Sequence, residues 1–192
     1  MIIWILTWIK ALSVRGRCLP YWWKEKKRGN GINVTTKNIT YCTSGIYENA
    51  LATAGIKDAD IIVAGPFNIS GTAALVGAIK SYENMTGEAV KTENVETATN
   101  ELVVTGKVAE SVGDTDKAEQ LIGAVKEQVV EGHAVTAEEI GEVVDKAAQE
   151  MSIQLSEEDR QAIVKLMEKI DNLNLDVDTL KEQAKDLYGK IE

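Results

Sequence analysis

An α/β to α+β fold is predicted for this chain: a small parallel or mixed sheet with crossover helices, followed by a C-terminal bundle of amphipathic helices. Two observations predict it. Between Ile32 and about Met85 the pattern runs strand, helix, strand, helix, which requires a crossover. After Pro66 there is no further proline, and apolar residues recur at helical spacing to the C-terminus.

The elements follow in order. Ile32 to Thr40 is rich in β-branched residues, with Ile32, Val34, Thr36 and Asn38 on one face and Asn33, Thr35, Lys37 and Ile39 on the other, as in a partly buried strand. Thr43 or Ser44 caps a helix through about Ala54, whose stripe is Ile46, Tyr47, Ala50, Leu51 and Ala54, and Gly55 stops it. Ala59 to Ala64 is a short apolar run suited to a central strand. The segment Gly65 to Ile69 reads as a loop, and Ser70 as the cap of a helix from Gly71 to about Met85. Asn94 and Asp114 are expected to cap helices ending near Gly113 and Gly132, and Thr136 to Glu139 forms a capping box. Three further stripes follow: Ile140, Val143, Val144, Ala147 and Met151; Ile163, Leu166, Met167 and Ile170; Val177, Leu180, Ala184, Leu187 and Ile191. The expected organisation is a head (1–29), an α/β core with trailing helices (30–132) and a helical subdomain docked on it (133–192).

The head differs in chemistry from the rest. Residues 1–29 hold all four tryptophans and seven basic side chains against one acidic, giving +6; residues 30–192 hold 14 basic against 29 acidic, giving −15. The apolar run ending at Lys10 is far shorter than the roughly 20 residues of a membrane span and lacks a cleavage site, so neither an anchor nor a secretion signal is expected there. Pro20 and Gly29 interrupt any interfacial helix. A nucleic-acid arm would use Arg15, Arg17, Lys24, Lys26, Lys27 and Arg28 with Trp22 and Trp23 as stacking faces. The codon table supports a different origin. Tyr21 to Lys24 must be encoded TAY-TGG-TGG-AAR, which one frame away reads aliphatic-Leu-Val-Glu, a strand-like phrase. The head is therefore read as out of frame up to the lysine run, with no continuous packing interface to the body.

Chemistry is sparse. His133 is the sole histidine and Cys18 and Cys42 the sole cysteines, so no His/Cys metal cluster can be assembled, and a Cys42–His133 nucleophile pair lacks an orienting third residue. Asn172, Asn174, Asp176 and Asp178 alternate as calcium ligands do, but Val177 and Gln183 stand where the turn glycine and bidentate glutamate belong. Asp58 with Asp60, and Asp114 with Asp116, are turn and cap residues. Neither a metal nor a cofactor is expected. The acidic body disfavours nucleic acid and anionic lipid as partners. The candidate ligand site is Gly65, Ser70, Gly71 and Thr72, at the C-terminal end of a strand and the start of a helix, where a small anion could be held.

Gly31 to Thr40, Tyr47 to Ile56, Ile62 to Phe67, Ser70 to Leu75, Ala98 to Leu102 and Gln183 to Tyr188 resemble the YpuA-like family of secreted bacterial proteins, domain of unknown function 1002. The resemblance covers about residues 31–192 and implies an extracellular or cell-surface location; with no convincing signal peptide read in it, the alternative expectation for the chain as given is the cytoplasm. It supplies no catalytic residues to carry over. The functional expectation is a binding or interaction domain for a protein or small anionic ligand. The alternatives are a hydrolase-like enzyme using carboxylates such as Glu48 or Glu101 beside the Ser70 loop, and a structural component of a surface assembly.

Overall fold

In the computed structural model, residues 2–6, 31–132, 134, 136–173 and 175 are described. The first element, β1, is Ile2–Leu6, followed by β2 (Ile32–Ile39), α1 (Ser44–Thr53), β3 (Ala59–Ile69) and α2 (Ala74–Thr86). Four helices complete the described chain: α3 (Thr92–Val112), α4 (Thr115–Val130), α5 (Ala137–Glu150) and α6 (Glu157–Asp171). The three strands form one sheet in the order β1-β3-β2, with both pairings parallel. The α/β expectation and the central position of Ala59–Ala64 both hold.

The register explains the layering. Ile32 pairs with Ala59, Val34 with Ile61 and Thr36 with Val63, so these residues share one sheet face. Ile32, Val34, Ala59, Ile61 and Val63 are buried in one core with Ile46, Ala50 and Leu51 of α1, Leu75 and Ile79 of α2, and Ala98 and Leu102 of α3. The opposite face carries Asn33, Thr35, Lys37, Asp60, Ile62 and Ala64, each half-buried or exposed. The described helices α1, α2 and α3 therefore pack on one side of the sheet.

A second core lies beyond the first turns of α3. Val104 and Val108 of α3 join Leu121, Ile122 and Val125 of α4, Ile140 and Val144 of α5, and Ile163, Leu166 and Met167 of α6. At 21 residues and roughly 1.5 Å per residue, α3 runs about 30 Å and passes through both cores. The division between them falls inside α3, between Leu102 and Val104.

Most predicted caps are present. The Thr43 hydroxyl accepts the Ile46 N–H, Asp114 accepts that of Lys117, and Thr136 with Glu139 forms the reciprocal box. Three expectations are corrected. The strand expected to end at Ala64 continues to Ile69, because the Gly65–Asn68 stretch bulges out of β3 and pairing resumes at Ile39 with Ile69. Ser70 does not cap α2: that helix starts at Ala74 after Ala73, with no side-chain cap, since Gly71 in the left-handed region (φ +88°) first turns the chain. Asn94 lies inside α3, which begins at Thr92 after Lys91. Over Ile2–Leu6 the backbone also departs from the expectation of a head without a packing interface, because Ile2 to Leu6 pair with Asp60 to Ala64. A run of β-branched and aromatic residues has the propensity for that pairing. The last apolar stripe, Val177 to Ile191, lies outside the described residues, as do Cys18, Trp22, Trp23 and His133.

Candidate functional site

Two regions concentrate polar groups: the C-terminal end of the sheet, where a ligand was expected, and a buried seam between α1, α3 and α4.

At the sheet end, Gly65 and Gly71 are buried, Ser70 is exposed and Thr72 half-buried. The space around Gly71 is already filled. A Cβ there would collide with the Tyr47 hydroxyl and stand 2.6 Å from Ile39 Cγ2, and Tyr47 donates to the Gly71 carbonyl at 2.5 Å. The Ala74 N–H, one of the free donors at a helix start, is bonded to that same carbonyl at 2.9 Å. The missing side chain thus gives its room to Tyr47. Behind it, burial pushes the Cys42 thiol up to about 11, only partly opposed by a hydrogen bond with Tyr47, so Cys42 is neutral at physiological pH and a poor nucleophile.

What this end presents is the bulge itself. Asn38, at φ 56°, donates its amide to the Gly65 carbonyl at 2.8 Å, and the Thr40 N–H and hydroxyl both bond the Ile69 carbonyl, at 2.9 and 3.1 Å. Pro66, Phe67 and Asn68 are exposed between these braces. Phe67, the one phenylalanine of the chain, is 69% exposed.

The interior seam was not foreseen. Glu101 of α3 is fully buried and pairs with Lys126 of α4 at 2.7 Å, their side chains 0% and 4% exposed. Thr53 of α1 donates to the second Glu101 oxygen, while Lys126 also donates to the Asn49 carbonyl at 3.0 Å and to the Thr53 hydroxyl at 3.3 Å. Every polar atom of the pair thus faces another polar group, as a buried charge demands. Asn94 extends the network by donating to the Thr53 carbonyl at 3.3 Å.

Farther along the same interface, Glu119 of α4 accepts from the hydroxyl of Thr43, the cap of α1, and the Glu119 backbone carbonyl accepts from Asn49 at 3.4 Å. Burial raises the Glu119 carboxyl to about 7; the Thr43 hydrogen bond opposes the shift, and nearby Asp116 and Glu48 add to it. Glu48 is buried too, with one carboxylate oxygen accepting the Val34 N–H at 3.0 Å.

Glu48 and Glu101, the carboxylates considered for catalysis, are therefore interior groups engaged with Val34 and with Lys126 and Thr53, and neither is brought to the Ser70 loop as a solvent-facing acid or base. Among the described residues no group of three or more His, Cys, Asp or Glu side chains could hold a metal, and no helix is long and apolar enough to cross a membrane. A cleft of about 200 Å3 is lined, among the described residues, by Val130, Ile170, Asp171 and Leu175.

One small parallel sheet and two apolar cores define a mostly helical α/β domain. Its family is clear from sequence. The profile of the protein family of unknown function DUF1002 matches residues 23–187, and the chain belongs to that family. It is similar to the uncharacterised protein YpuA of Bacillus subtilis (strain 168), with 37% identity over 166 residues; this covers 86% of the chain and 57% of YpuA, so the chain spans little more than half of that relative. No solved structure matches it.

Proposed function

We propose that this chain is a binding module that acts at the cell surface and meets a protein partner through the Pro66–Asn68 bulge. The observation that carries this is an aromatic side chain, Phe67, held 69% exposed on a braced projection. Single exposed apolar residues are common on protein surfaces. This one sits on backbone fixed at both ends, so little ordering entropy would be lost when it is covered. Ser70 and Thr72 flank the bulge in sequence and offer hydroxyls to the same partner or to an anionic group on it. The location rests on the family resemblance alone.

A photo-reactive phenylalanine analogue at position 67, with a control at exposed Glu96, tests the proposal in cells of the native host. A discrete crosslinked protein at 67, not formed from 96 and competed by excess unmodified chain but not by Phe67→Ser, is expected. Equal labelling from both positions would sink the idea. Phe67→Ser should leave stability within about 0.5 kcal/mol, as surface changes do.

A further inference from the structure

We infer that the α1–α4 seam is a proton-controlled latch, in which the buried Glu119 carboxyl holds α4 against the cap of α1 when neutral and loosens it when charged. The geometry is specific. The Thr43 hydroxyl serves two masters: it accepts the Ile46 N–H at 3.3 Å to start α1, and it donates to Glu119 across the interface. Glu119 is only 7% exposed, yet among the described residues it has no ion-pair partner.

The surroundings are set against the charged form. From α1, Glu48 faces it, and from its own helix Asp116 does, and both are acidic. The Cys42 thiol, next to Thr43, stays neutral because burial has raised it. Lys126, seven residues along α4, is committed to Glu101 of α3, so that end of the seam is neutralised internally. On the far side α5 and α6 meet α4 through the apolar second core, and Asp145 of α5 is paired with Arg160 of α6 at 2.7 Å. A carboxylate in this place has lost water and gained one neutral donor, an unfavourable exchange.

The sign follows from the raised carboxyl. In the folded chain Glu119 releases its proton near pH 7, and in the unfolded or opened chain near its ordinary value of 4.5. Closure is therefore strongest at low pH, weakens as pH rises between those values, and is weakest above about 7. The Lys126–Glu101 end acts as the pivot.

Hydrogen exchange on the whole chain at pH 5 and pH 8, corrected for the intrinsic rate, tests this. Amides in the first two turns of α4 and the first turn of α1 should lose protection by roughly a hundredfold at pH 8, the scale set by linkage. At pH 8 they should also open more readily than the central amides of β3. In Glu119→Gln, a neutral mimic of the closed form, the same amides should show no pH response. Seam amides as protected as β3 at pH 8, or a pH response that survives in Glu119→Gln, would overturn the latch. Should the variant not fold, the wild-type comparison with β3 decides by itself.

Discussion

Replacing Lys126 with methionine gives the sharpest test of the seam. The change keeps the length of the side chain and removes its charge, leaving Glu101, which is 0% exposed, with the Thr53 hydroxyl as its remaining side-chain donor. Breaking a buried pair by removing one partner costs about 3–5 kcal/mol, because the orphaned charge loses water without compensation. Glu101→Leu alone should cost a similar amount, since Lys126 would keep only Asn49 and Thr53. In the double variant both charges are gone, the Asn49 carbonyl keeps its place within α1, and the residual cost is that of a Thr53 hydroxyl left without Glu101 and Lys126, about 1–3 kcal/mol. The double variant is thus expected to be more stable than either single one, with a coupling of several kcal/mol. Urea unfolding at pH 7 measures all four species. A loss below about 1 kcal/mol for Lys126→Met, or additive effects in the double variant, would mean that water reaches the pair and that the seam is not dry.

Other outcomes follow from single positions. Gly106→Ala should destabilise by about 1–2 kcal/mol despite alanine's higher helix propensity, because the new Cβ would lie 2.5–2.6 Å from Tyr41 ring carbons; in a Tyr41→Ala background the sign should reverse. Leu166→Ala empties a fully buried site of the second core and should cost about 2–5 kcal/mol in urea melts, and no change would place that stripe on the surface. At pH 7, iodoacetamide with peptide mapping should leave Cys42 unmodified until the chain is unfolded, and rapid native labelling would contradict its burial and raised thiol. Sequencing the coding DNA across Lys24 to Lys27 checks the reading frame of the head; a lysine tract confirmed in frame with an upstream start would reject the frameshift.

Much of the fold was legible because local chemistry and tertiary structure agree. Thr43, Asp114 and Thr136 are caps in sequence and in space, and Gly55 and Gly113 turn left-handed where the helical stripes end. The bulge was hidden because Gly65-Pro66 punctuates a sequence like a loop, while a proline inside a strand is tolerated where the ladder is interrupted. The seam was hidden for another reason. Glu119 and Lys126 lie seven residues apart, two turns along one face of α4, and Thr97, Glu101 and Thr105 recur every four residues on α3. Spacing marks such lines as faces but cannot tell a solvated face from one that meets another polar line. Only knowledge of which helices are neighbours separates the two.

The carboxylate of Glu48 has a role outside the core it borders. Gly31 accepts from Ala59, so the odd-numbered residues at the start of β2 direct their backbone groups toward β3, and the Val34 N–H points away from the sheet. Glu48 occupies that outward N–H. A strand from another molecule seeking the β2 border therefore meets a carboxylate in place of a free donor, and the sheet is stoppered on that side. Lateral growth at the β2 border is thereby opposed: Glu48→Ala would open it, and its expected signature is self-association that rises with concentration in a chain whose fold is otherwise kept.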